Sequence, residues 1–179
     1  MRRRLRAGAA VAGSRRARMH DALAWLQSSA LGMFMRGSGP WTYPVVNVIH
    51  VLGVATLFGA VLLLDLRLLG VWRRAPLAAI TTVAAPVAMA GFALAAASGV
   101  CLLAANALEY EDNPVLVVKF SAIGLGLVNA VVLRCTAAWQ AHTTRDLSHS
   151  EARRLGLMGG VSLVSWLTAV GAGRIIGYW

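Results

Sequence analysis

From residue 45 onward, hydrophobic positions run almost unbroken through four stretches, 45–64, 83–108, 115–133 and 155–176, and the polar positions gather between them. A helix needs about 20 mostly apolar residues to cross a hydrocarbon core of about 30 Å, and each stretch is of that order. Alternation at period two, the mark of a membrane β-barrel, is absent. Backbone polar groups inside lipid must be satisfied within the segment, so all four stretches are expected to be helices. The pattern predicts an all-α protein, an integral membrane four-helix bundle over residues 44–179 with spans at about 45–69, 78–108, 115–139 and 155–176.

The linkers fit this division. Arg73, Arg74, Ala75 and Pro76 separate the first two spans, and the proline suits the start of a helix better than its middle. Glu109, Tyr110, Glu111, Asp112, Asn113 and Pro114 form a short acidic turn before the third span. Residues 142–154 are a longer polar stretch in which Ser150 is the expected cap of the fourth span and Glu151 favours its N-terminus through the helix dipole.

Ahead of the bundle the pattern changes twice. Residues 1–18 hold seven arginines among alanine and glycine, too few apolar positions to fold, and are expected to be a disordered extension. In residues 19–43, Leu23, Leu26, Ala30, Leu31 and Phe34 recur at helical spacing, which predicts a short amphipathic helix lying in the membrane interface, followed by a linker. Trp41 and Tyr43 then stand where aromatic belts form. Ser14, Arg15 and Arg16 resemble a twin-arginine export signal, but Arg18 occupies a position that should be apolar, and no continuous apolar core or cleavage site follows.

Composition narrows the class: 58% of residues are hydrophobic and 13% charged, which fits one compact membrane domain. The net charge of +10 then orients it. Of 17 lysines and arginines, the loops after spans one and three with their helix ends hold seven: Arg67, Arg73, Arg74, Arg134, Arg145, Arg153 and Arg154. Arg36, Lys119 and Arg174 lie on the other side, so the basic loops belong in the cytoplasm and both chain ends in the periplasm of a bacterial inner membrane. The seven arginines of residues 1–18 reverse that balance, ten to seven. Either Met19 is the true start, which is the preferred reading, or a genuine basic arm sits at anionic lipid and the bundle is inverted. No base-reading element accompanies the arginines, so no nucleic-acid partner is expected.

Depth sorts the remaining polar residues into two layers. His50 lies roughly 10 Å inside the first span counted from Tyr43, and an ionisable group there counts as a functional candidate. Asn47 shares its helix face, Asn106, Glu109, Lys119 and Arg174 fall near the same membrane face, and Cys101 reaches a similar depth. This layer is a candidate polar pocket open to the periplasm. In the opposite layer, Asp65, Arg67 and Arg134 end spans one and three; an Asp65–Arg134 pair would reduce the cost of both charges, and anchoring at headgroups is the favoured reading.

His50 is a candidate ligand of haem b or copper, or a proton relay, since neutral imidazole is a good nitrogen ligand that titrates near neutrality. The plain alternative is a histidine hydrogen-bonded to a neighbouring helix. Bis-histidine haem lacks a second histidine at that depth, because His20 precedes the bundle and His142 and His149 belong to the far loop. A copper site would draw on His50, Cys101 and a methionine. Cys101 and Cys135 differ in depth by most of a membrane and are not expected to pair. Gly91, Ala95 and Gly99, Gly156 and Gly160, and Gly173 and Gly177 repeat at four-residue spacing, which lets helices approach closely. No serine, histidine and carboxylate assemble at one depth, and no phosphate-binding glycine loop is present, so hydrolase and transferase chemistry is disfavoured.

Trp41, Thr42, Tyr43 and Pro44, Asn47, His50 through Gly53, Leu64 through Gly70, Asn113, Pro114 and Lys119, and Gly173 through Tyr178 together resemble an uncharacterised family of four-span bacterial inner-membrane proteins. The resemblance covers nearly everything after Met19, near whose equivalent the family's members also begin. More distantly the chain is similar to copper-resistance D-type and cytochrome b-like bundles. The resemblance implies that His50 and Arg174 line a pocket used by a haem, a copper ion or a quinone, although copper-type relatives offer more metal ligands than this chain. Two functions remain. The favoured one is a non-enzymatic subunit or accessory factor, packing in the lipid bilayer as a homo-oligomer or within a larger membrane complex. The alternative is a redox or transport component with His50, Asn47, Asn106, Lys119 and Arg174 around its cofactor.

Overall fold

The structure, a computed structural model, describes the backbone of residues 2–178 and the side chains of Ser14 and of residues 16–178. Most of the arginine side chains that define the expected extension therefore lie outside the described residues. The protein is all-α: α1 (Arg2–Ser28), α2 (Ala30–Gly37), α3 (Thr42–Leu68), α4 (Leu77–Ala105), a 3₁₀ turn (Ala107–Tyr110), α5 (Pro114–Cys135), α6 (Ala137–Ala141) and α7 (His149–Ile176). Four of these helices, α3, α4, α5 and α7, are long and apolar enough to cross a membrane, and they form a helical bundle preceded by a short helix.

Local chemistry sets the helix ends. The backbone of α1 is helical through most of the segment that composition assigns to a disordered arm; alanine and arginine make up most of it, and both are strong helix formers. Ser29 then breaks the single interfacial helix expected within residues 19–43, its side chain accepting the Gly32 N–H as the N-cap of α2. Thr136 does the same for α6, so α5 stops at Cys135 rather than near 139. The fourth span starts earlier than its apolar run: Ser148, not Ser150, is the N-cap, in a capping box with Glu151 that Arg145 closes from outside at 2.9 and 2.7 Å.

The chain forms two compact units, residues 1–49 with 96–113 and residues 50–95 with 114–179. In the smaller unit, α2 lies against the end of α4 so closely that a Cβ on Gly32 would stand 2.8 Å from the Ala104 carbonyl oxygen. The last carbonyls of a helix lack intrahelical donors. Arg36 supplies them, donating to Ala105 O at 3.1 Å and Ala104 O at 3.5 Å, and also to Gln27 O at 2.8 Å. A cation there also suits the negative end of the α4 dipole. Gln27 accepts the Leu108 N–H at 2.9 Å, and His20 donates to Glu111 at 2.8 Å, so α1 is fastened to the acidic turn.

In the larger unit the contacts are made by small residues. A Cβ on Gly53 of α3 would lie 2.7 Å from the Ala95 backbone nitrogen, and one on Gly91 of α4 would lie 2.5 Å from that of Leu57. The helices touch backbone to backbone. Across α3 and α7, Cβ atoms on Gly156 and Gly159 would meet Leu68 O at 3.0 Å and Leu68 Cβ at 2.9 Å. Gly160, which spacing pairs with Gly156, meets nothing nearer than Leu69 Cδ2 at 3.8 Å. Gly126 of α5 faces the Trp166 ring of α7, whose edge meets Phe92 of α4 with centroids 6.4 Å apart. Leu68, Leu133, Ala138 and Leu155 close the end of the unit. The outer surface is apolar: Val83, Val117, Val131 and Val164 keep 62–65% exposure, a surface suited to lipid rather than water. The α3–α4 turn needs Gly70 at φ 100 and Trp72 at φ 51, and Arg67 braces it by donating to Ala75 O at 2.8 Å.

The Gly53 and Gly91 contacts involve backbone atoms, which cannot step aside. Gly53→Ala and Gly91→Ala are expected to cost about 1–3 kcal/mol each. Gly59→Ala and Gly124→Ala, where an added methyl meets nothing within 4 Å, should be neutral or slightly stabilising. Thermal unfolding in one detergent compares all four, and equal losses would refute the assignment of the close contacts.

The His20 contact predicts a pH effect. The hydrogen bond to Glu111, and then the Glu111 charge, raise the His20 pKa above its ordinary 6.5. A raised folded value means the fastening is at full strength below 6.5 and is lost as pH climbs through the raised value. Hydrogen exchange in α1 should therefore quicken with rising pH beyond the intrinsic base-catalysed trend, and His20→Gln should abolish that excess.

Candidate functional site

Close approach of α3 and α4 positions the first candidate. Because Gly53 lets α3 lie against Ala95, the half-buried His50 one turn earlier reaches the same residue: Nδ1 donates to Ala95 O at 2.9 Å. A carbonyl has two lone pairs, so one inside a helix can take this second donor. The bond fixes the imidazole tautomer and ring orientation. It is the link to a neighbouring helix that sequence offered as the plain alternative to a ligand role.

Two more candidates belong to the same unit. Lys119 of α5 is half-buried, with Nζ 3.5 Å and Cε 3.6 Å from where a Cβ on Gly173 of α7 would stand. The glycine leaves a trough for the lysine stem, and Lys119 lies within electrostatic reach of His50. Arg174 instead turns outward at the end of α7. It donates to the Tyr178 hydroxyl and stacks over that ring at 4.7 Å. The structure thus sets Lys119 within electrostatic reach of His50 and gives Arg174 its own aromatic partner.

Asn47, Cys101 and Asn106 belong to the smaller unit. Asn47 is exposed on the second turn of α3, Cys101 is a half-buried free thiol on α4, and Asn106 precedes the 3₁₀ turn with no capping bond from its side chain. Among the described residues, no group of three or more His, Cys, Asp or Glu side chains comes together to hold a metal.

In the opposite layer Asp65 and Arg134 have different partners. Arg134 is exposed and donates to Met89 Sδ at 3.5 Å. Asp65 is 2% exposed and takes a hydrogen bond from Ser162 of α7, while its Oδ2 has no hydrogen-bond partner among the described residues. Direction around the helix separates these residues. Asp65 sits one turn before Leu68, on the side that α7 covers. The available signal was the buried stripe of α7, where Leu155, Gly159, Ser162, Trp166 and Ala169 recur three and four apart. Further polar groups inside this unit are satisfied locally: Asn129 donates to Met158 O at 3.0 Å, Ser165 to Val161 O at 2.7 Å, and Thr81 meets His142 Nε2 at 2.9 Å.

Comparison of the chain with known protein families, with curated proteins and with solved structures finds no match.

Proposed function

We propose that the protein is a non-enzymatic subunit or accessory factor of a membrane complex, sited in the bacterial inner membrane with both chain ends periplasmic. The observation that carries this reading is a groove of about 460 Å³ on the outer face of α5 and α7, lined by Pro114, Val118, Thr168, Gly171 and Ala172 among others. Helix faces that meet only lipid gain nothing from small residues. Glycine and threonine on an outward face let another helix come close, where van der Waals contact and interhelical hydrogen bonds drive association. Gly171 is open, with nothing within 4 Å of an added Cβ. The occupant in this reading is a transmembrane helix of a second copy or of a larger complex. Counted from Met19 onward, the orientation rests on the seven basic residues of the two loops against three on the opposite side.

Gly171→Leu fills the groove without touching the bundle's own contacts. Native purification in mild detergent should give a defined oligomer or a stoichiometric partner for wild type, and Gly171→Leu should release it with helix content unchanged. A monomeric, partner-free wild type would end this reading.

One observation favours a second reading, a redox or transport component binding haem, copper or quinone at His50. An imidazole whose Nδ1–H is held by a carbonyl is oriented as ligating histidines are. In that case native protein shows a Soret band or bound copper, and His50→Ala removes it. A colourless, metal-free preparation leaves the subunit reading.

A further inference from the structure

Asp65 poses a problem of charge that the chain does not solve. The residue is 2% exposed, one turn before Leu68, which belongs with Leu133, Ala138 and Leu155 to the apolar end of the larger unit. One hydrogen bond comes from Ser162, and Oδ2 takes none from any described residue. The cations nearest in sequence or depth point elsewhere: Arg67 to the carbonyls of Ala75 and Arg73, Arg134 to Met89. The facing groups on α7 are Gly159 and Ser162, neither of them charged, and in this unit the ion pair that forms among the described residues is Arg145 with Glu151.

An isolated ionised carboxylate in an apolar interior is too costly to persist, so a single positive charge must come from outside the chain. A polyvalent metal does not suit, since no cluster of acidic, histidine or cysteine side chains accompanies Asp65. We propose that Asp65, with the Ser162 hydroxyl beside it, is a binding site for a small monovalent cation, a proton or a sodium-sized ion. The ion enters from the membrane face where α3 ends, three residues or roughly 4.5 Å of helix beyond Asp65. The site stands on the interior of one unit and is independent of what docks in the α5–α7 groove.

Carbodiimides test this directly, because they react with carboxyl groups only in the protonated form. The acid proton goes to a carbodiimide nitrogen, the carboxyl oxygen bonds the central carbon, and rearrangement leaves a stable N-acylurea. The whole protein in lipid vesicles is treated with dicyclohexylcarbodiimide, which partitions into apolar regions, and in parallel with a water-soluble carbodiimide. Mass spectrometry then locates adducts among all seven acidic residues. The expected result is labelling of Asp65 by the apolar reagent alone, falling about tenfold per pH unit once the acid titrates. Suppression by sodium but not by choline at equal ionic strength identifies a sodium-sized ion; indifference to sodium identifies the proton. Ser162→Ala, which keeps the volume small, should change the labelling rate at Asp65 severalfold. The proposal is overturned if Asp65 is unlabelled at every pH, or is labelled equally by the water-soluble reagent.

Discussion

Helices in a bilayer are not pushed together by water, because lipid tails are as apolar as the side chains they would replace. Association depends on how closely backbones can approach, and in this protein that is decided by a few positions without side chains. Gly53 against Ala95 and Gly91 against Leu57 bring α3 onto α4, and Gly156 and Gly159 bring α7 onto Leu68. The interior is correspondingly built of alanine and serine, with Leu155 as its one large side chain below 2% exposure among the described residues. The polar geometry follows from the same constraint. His50 reaches Ala95 O because Gly53 removes the bulk that would hold the helices apart, and Lys119 lies along α7 because Gly173 leaves it room.

Sequence discloses this architecture unevenly. Four membrane-length helices are legible because length and apolar composition are cumulative properties, which no single residue overturns. Their ends are not legible from hydropathy, since they are set by hydrogen bonds of one or two residues. Ser148 begins α7 before its apolar run, Thr136 separates α6 from α5, and Ser29 divides the N-terminal helices. Small-residue spacing shows that close packing exists without showing where. Gly156 and Gly160 satisfy the pattern, yet Gly159 is the position that meets Leu68 most closely.

The candidate residues divide along the same line. His50 stands out because hydrocarbon should surround it, and the structure answers with a carbonyl from the next helix. Asp65 does not stand out, because a charged residue three places from a helix end reads as a headgroup anchor. Arg67 supports that habit of reading: it too lies near the end of α3, and its guanidinium braces the following turn. What separates Asp65 from its neighbours is azimuth, and azimuth depends on which face α7 covers, information that belongs to the partner helix.

Donors and acceptors do not fare equally inside a helical bundle. Backbone N–H groups are consumed by the helical ladder, while each carbonyl oxygen keeps a lone pair that can take another donor. Side-chain donors therefore find partners at little cost, as His50, Asn129, Ser165 and Arg36 do on the carbonyls of Ala95, Met158, Val161 and Ala105. An ionised carboxylate accepts only, and the backbone has nothing to give it. Ser162 supplies one donor and no other helix supplies a second to Oδ2 among the described residues. The asymmetry explains why a half-buried histidine can serve as an ordinary fastening in this bundle whereas a buried aspartate cannot. A buried acid in such a place is stable only with a positive charge that arrives from solution.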